Sequence, residues 1–170
     1  SYPVSSDRVV WAIGAHEALK YLSPVEQQAV MREFYAYFRD SIEQDRHLVF
    51  DGKDGLYRGE QSFLDWREQT YPLWTAENVL PVAMSKALSV NVAKVFLLRQ
   101  ASAYADSLDE PGESHRFAEW ADELSKAVND RFFDAEAGLY RTYLFSEDGA
   151  DSLAVARYDL LGNSLAVLFN

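Results

Sequence analysis

Between Gly59 and Pro72 the chain reads Gly-Glu-Gln-Ser-Phe-Leu-Asp-Trp-Arg-Glu-Gln-Thr-Tyr-Pro, which places three carboxyls, Glu60, Asp65 and Glu68, within nine residues. Arg58, Arg67, Gln61 and Gln69 accompany them, and Trp66, Tyr71 and Trp74 lie among them. Hydrolysis of a glycosidic bond needs a carboxylic acid that protonates the leaving oxygen and a second carboxylate that activates water, ~6.5 to 9.5 Å apart when configuration inverts. Sugar rings stack on Trp and Tyr faces, while amides and charged groups clasp their hydroxyls. The composition of this stretch therefore fits a sugar site. The same acids have a plainer reading as surface ion pairs, Asp65 with Arg67 or Glu60 with Arg58, worth little in water. If residues 65–68 form a helical turn, Asp65 and Glu68 share a face; if extended, they lie on opposite faces.

The stretch follows a motif that occurs twice. Phe50-Asp51-Gly52-Lys53-Asp54-Gly55-Leu56-Tyr57-Arg58 returns 83 positions later as Phe133-Asp134-Ala135-Glu136-Ala137-Gly138-Leu139-Tyr140-Arg141. Repetition at a fixed distance means that one supersecondary unit is used more than once, so chemistry is sought where the copies differ. They diverge just afterwards: the second copy runs into Thr142-Tyr143-Leu144-Phe145-Ser146-Glu147-Asp148-Gly149, and only the first is packed with acids, amides and aromatics. Asp51 and Asp134 occur in both copies and are expected to form turns, each closed by a glycine that supplies positive φ.

Helices must position these turns. Trp11, Ala15, Ala18, Leu19 and Leu22 make an apolar stripe from Asp7 to Leu22. Ser23-Pro24-Val25-Glu26 is a capping box with proline at the first helical position, opening a helix with the stripe Val30, Phe34, Tyr37, Phe38 and Ile42 that ends near Arg46. A third helix carries Leu88, Val92, Val95 and Phe96 and stops around Leu108, before Asp109-Glu110-Pro111-Gly112. Phe117, Ala121, Leu124, Val128 and Phe132 mark a fourth, and a fifth starts near Tyr158. Asn163 of the fifth corresponds to Asn91 of the third, since each follows a leucine by three residues and precedes an apolar run. Trp11 and Trp120 are expected in the core, His16 packed or half exposed, His47 and His115 on the surface.

The predicted unit is helix, short turn, helix, then an excursion with a small β element. Two units, about 7–75 and 83–157, fill most of the chain and a third starts at 158. Residues 1–170 are thus read as one all-α domain of antiparallel helical hairpins, continued by the remainder of a longer polypeptide, because an apolar helix ending the chain leaves its stripe uncovered.

Composition narrows the partners. Sixteen basic against 27 acidic side chains give a net charge of −11, which repels nucleic acid and anionic lipid. No apolar run is long enough to span a membrane. The absence of cysteine and three dispersed histidines leave no metal-ligand spacing, and no cofactor is implied.

With the Phe-Asp-x-x-x-Gly-Leu-Tyr-Arg repeat, Gly59-Glu60-Gln61-Ser62-Phe63-Leu64-Asp65-Trp66-Arg67 and Ala156-Arg157-Tyr158-Asp159-Leu160-Leu161-Gly162-Asn163 in hand, the chain resembles the six-hairpin glycosidase superfamily, including its trehalase-like and processing alpha-glucosidase-like members. The resemblance implies the N-terminal portion of an (α/α)6 toroid and a glycoside hydrolase that releases a terminal sugar with inversion, with Asp65 as general acid. Glu60, Gln61, Trp66, Arg67, Glu68, Tyr71 and Trp74 would line the substrate. Ser62 stands where the family pattern has glycine. The catalytic base would come from a late hairpin, outside this chain. Two other classes compete: a non-catalytic helical-repeat scaffold, and a sugar epimerase or isomerase on the same toroid, which requires a central histidine pair to which this chain contributes only His16.

Overall fold

A computed structural model of the chain describes residues 7–59, 84–145, 153–154 and 157–169. Five helices dominate the described residues: α1 (Asp7–Leu19), α2 (Pro24–Leu48), α3 (Leu88–Ser107), α4 (Pro111–Phe132) and α5 (Leu160–Phe169). The strands are short: β1 (Phe50–Asp51), β2 (Leu56–Tyr57), β3 (Lys86–Ala87), β4 (Phe133–Asp134), β5 (Leu139–Tyr140), β6 (Tyr143–Phe145) and β7 (Leu153–Ala154). The protein is mostly helical, as the periodicity predicts.

Local signals set most boundaries. α2 opens at the predicted capping box, where the Ser23 N–H donates to Glu26 Oε2 at 2.9 Å and Pro24 gives up no hydrogen bond. α4 likewise opens on a proline, Pro111, after a turn in which Asp109 takes the left-handed conformation (φ 61°). α1 stops at Leu19, short of the predicted Leu22, because residues 20–22 tighten into turns bonded to the carbonyls of Glu17, Ala18 and Leu19. Its core face is Val9, Ala12 and Leu19, and the expected stripe residue Ala18 is exposed. Tyr37 also departs from the expected stripe of α2: Tyr35, Phe38 and Ile42 fill the core, and Tyr37 points outward. Trp11 packs where expected, its ring 4.9 Å from Phe38 and 6.5 Å from Phe34.

α3 departs most from a one-sided stripe. Every residue from Leu88 to Leu98 is buried, because the other four helices surround it. A helix with no polar face belongs in the interior, and its two strongly polar residues there each meet a dedicated partner. Lys94 pairs with the fully buried Asp45 of α2, its ammonium also lying 5.1 Å from the Tyr57 ring centroid. Unpaired, either charge would be severely penalised at this depth.

Asn91 does something else. The Asp turns fold as two-residue ladders, Phe50 against Tyr57 and Asp51 against Leu56, then Phe133 against Tyr140 and Asp134 against Leu139. Gly55 (φ 75°) and Gly138 (φ 66°) close them in the conformation that a side chain would strain. The Asn91 carboxamide accepts from the Tyr57 N–H at 2.8 Å and donates to the Tyr57 carbonyl at 3.0 Å and the Ala87 carbonyl at 2.9 Å. Asn163 repeats this on Tyr140 at 2.9 and 2.9 Å, and donates to Asp159 at 3.0 Å. An amide side chain has the donor and acceptor of a peptide group, so it completes a strand edge that has no further strand. The expected correspondence of Asn163 with Asn91 holds in detail.

Replacing Asn91 by Ala strands both backbone groups of a buried tyrosine and should lower stability by about 2–4 kcal/mol in urea titrations. Asn163→Ala acts at a half-buried joint and should cost less. An Asn91→Ala loss smaller than that of Asn163→Ala would contradict the clamp.

Candidate functional site

Each turn leads into an excursion whose two ends meet again at its base. Gly59 N–H donates to the Ser85 carbonyl at 2.8 Å, and Gly59 forms a parallel bridge with Lys86. In the second unit Thr142 N–H donates to the Arg157 carbonyl at 2.7 Å, the same bond 83 and 72 positions later. The first excursion runs through residues 60–84, the second through 143–156, so the first is the longer by 11 residues. Their bases are joined: β3, at the end of the first excursion, pairs antiparallel with β6 of the second, and β6 with β7. Leu88, the first residue of α3, donates its N–H to the Thr142 carbonyl at 2.9 Å. Both excursions therefore leave from one end of the helical layer, beside the N-termini of α3 and α5.

Glu60, Gln61, Asp65, Trp66, Arg67, Glu68, Tyr71 and Trp74 all lie outside the described residues. What the structure defines is the pair of chain ends that bound this stretch. Arg58, read from sequence as a possible partner of Glu60, is held by Asp51 at 2.7 Å. Its counterpart Arg141 is held by Asp134 at 2.6 Å. The aspartates also accept from turn N–H groups, Asp51 from Lys53 and Asp134 from Glu136, both at 3.1 Å, so the turn-forming role expected of them is met.

The two platforms differ at one place. Lys86, buried at the foot of the first excursion, donates to Asp51 at 3.0 Å and makes a second ion pair with Asp54. Aligned through the turn and through the asparagine, Asp54 becomes Ala137 and Lys86 becomes Tyr158. Tyr158 hydroxyl donates to Asp134 at 2.8 Å in place of the ammonium. A second carboxylate is present only where a full positive charge has to be buried, and it disappears together with that charge. Burial pushes the Asp51 carboxyl up, but the Lys86 ammonium, the Lys53 N–H and the Arg58 charge hold it below the usual aspartate range. The Tyr158 hydroxyl and the turn N–H groups of Ala137 and Glu136 lower Asp134, and in return Tyr158 is raised.

Sequence reading missed Lys86 and Asp54. The signal was the paired change between copies, visible only once two different offsets, 83 for the turn and 72 for the following helix, are applied together.

The histidines lie apart. His16 is half buried, with Nδ1 3.4 Å from the Tyr104 hydroxyl and its ring 5.6 Å from Phe96. Burial, reinforced by Lys20, lowers its pKa, while burial raises that of Tyr104 to about 12. His47 and His115 are exposed, as expected. Among the described residues no group of His, Asp or Glu could hold a metal ion, and no helix is long and apolar enough to cross a membrane. No known family model matches the chain, and no curated protein matches it significantly.

The Lys86 cluster gives two predictions. Asp54→Ala and Lys86→Tyr should each cost about 1–3 kcal/mol, whereas the double variant, which recreates the second platform, should cost less than their sum by at least about 1 kcal/mol in a double-mutant cycle. Strict additivity would show the two positions to be independent. Because the folded-state pKa of Asp51 is lowered, its stabilisation is whole above about pH 4 and is lost as pH falls through the lowered value. Asp51→Asn should accordingly flatten the dependence of unfolding free energy on pH in the acid range, and an unchanged slope would refute this assignment.

Proposed function

We propose that the chain is the N-terminal portion of an (α/α)6 toroid in a glycoside hydrolase that releases a terminal sugar from an oligosaccharide with inversion. Asp65 is its general acid, protonating the leaving glycosidic oxygen. Glu60, Gln61, Arg67 and Glu68 bind hydroxyls, and Trp66, Tyr71 and Trp74 stack on sugar faces. The base that activates water belongs to a later hairpin of the same polypeptide, which also completes the ring.

The observation that carries this reading is the contrast between two excursions tied down in the same way. Both are closed by an equivalent backbone bond and both rise beside the N-terminus of a helix of the same layer. Only the longer one sets its acids among tryptophans, amides and an arginine, namely Trp66, Trp74, Gln61, Gln69 and Arg67; the shorter has acids and aromatics but none of these residue types. Its foot is anchored by a buried lysine with two carboxylates, which gives a catalytic loop a rigid support, and rigid positioning of a proton donor is a large part of general-acid catalysis. The −11 net charge disfavours anionic polymers as substrates.

The polypeptide containing this chain should hydrolyse one or more members of a glycoside panel. Asp65→Asn should lower kcat by about 10²–10⁴ for alkyl glycosides. Aryl glycosides, whose leaving groups need little protonation, should lose far less. Undiminished turnover, or equal losses for both classes, would remove Asp65 from the role of acid.

A further inference from the structure

Between the first turn and the C-terminal half of α4 lies a cavity of about 440 Å³. The turn touches the helix at Gly55, where an added Cβ would lie 3.4 Å from that of Ala127, and stands clear at Gly52, where nothing lies within 4 Å of one. Arg46 of α2 also lines the cavity, its guanidinium held between two rings, 3.8 Å from the Phe50 centroid and 4.4 Å from that of Trp120. The walls come from the first unit and from α4, so this junction is already complete within the chain.

Charge in the cavity does not balance. Four cations line it, Arg46, Lys53, Lys126 and Arg131, together with three carboxylates, and every carboxylate is matched. Asp54 belongs to the neutral cluster of Asp51, Lys86 and Arg58. Asp130 pairs with Lys126, and Glu123 lies 3.8 Å from Arg46. Lys53 and Arg131 are exposed and have no ion-pair partner among the described residues. In a chain with 27 acidic and 16 basic side chains, two cations left over in one cavity are charge that the fold does not use. The second turn has no such surplus: the counterparts of Arg46 and Lys53 there are Asn129 and Glu136, so these cations are not part of the shared scaffold.

We propose that this cavity binds a doubly charged tetrahedral oxyanion, phosphate or sulfate, free or carried on a sugar, between Lys53 and Arg131 and beside Arg46. A guanidinium fork and an ammonium are the side chains that hold such oxygens by charge-assisted hydrogen bonds, and two unmatched positive charges favour a dianion over a monoanion. The net charge of −11 repels extended polyanions, but charges more than roughly 8–10 Å away are largely screened at physiological salt, so a small anion meets the local excess. The proposal does not rest on the catalytic reading.

Isothermal titration of the full polypeptide containing this chain with sodium phosphate and with sodium sulfate, at ionic strength held constant with sodium chloride, should show one saturable site. Lys53→Glu, which installs the residue of the second turn, and Arg131→Gln should each weaken binding about three- to tenfold, while Arg39→Gln, outside the cavity, should leave it unchanged. All three side chains are exposed, so the urea midpoint should stay where it is, which separates loss of binding from loss of fold. Tighter binding of glucose 6-phosphate than of inorganic phosphate would support the site and assign its anion to a sugar; equal binding would support it and assign the free ion. No saturable binding, binding indifferent to both Lys53→Glu and Arg131→Gln, or an equal loss in Arg39→Gln would overturn the proposal.

Discussion

The architecture depends on one side-chain amide that takes the place of a missing β-strand. A two-residue ladder has too few hydrogen bonds to persist alone in water, and the outer edge of β2 would leave the N–H and carbonyl of a buried tyrosine without partners. Asn91 supplies both at once from the first turn of α3, so the turn that ends one hairpin is bonded to the helix that begins the next. Asn163 does the same for the following pair. Hairpins linked in this way acquire a fixed relative position through directional bonds as well as through apolar packing, which by itself tolerates sliding.

Once that joint is set, buried charge must be reconciled with it. Lys94 and Lys86 flank Asn91 in the sequence, both are buried, and each is neutralised by carboxylates from the preceding unit, Asp45 for one and Asp51 with Asp54 for the other. These ion pairs specify more than they stabilise, since a well-packed apolar substitute often serves stability as well. The second joint supports this view: the tyrosine at 158 reaches Asp134 without a charge to bury, and alanine replaces the spare carboxylate. The two joints are thus chemically distinct on a common backbone.

The same economy sets where function can reside. Equivalent hydrogen bonds close both excursions, so the backbone at their base is shared while the side chains around it and the inserted residues differ. The repeat also explains the uneven surface. The first turn is roofed by α4, whereas the second is open.

Helix starts, the capping box, the positive-φ glycines, the repeat and the Asn91–Asn163 correspondence were legible in the sequence by itself, because each follows from interactions among near neighbours or from identity between copies. The acid-rich stretch was legible too, as composition. Tertiary structure alone decided that α3 is enclosed on every side, that Tyr37 faces outward while Tyr35 turns in, and that Lys86 is buried between two aspartates. Those outcomes depend on groups brought together from distant parts of the chain, 32 and 35 residues apart for the Lys86 pairs and 49 for Lys94 with Asp45. Helical periodicity records which residues share a face; what that face meets is set by the packing of whole helices against one another.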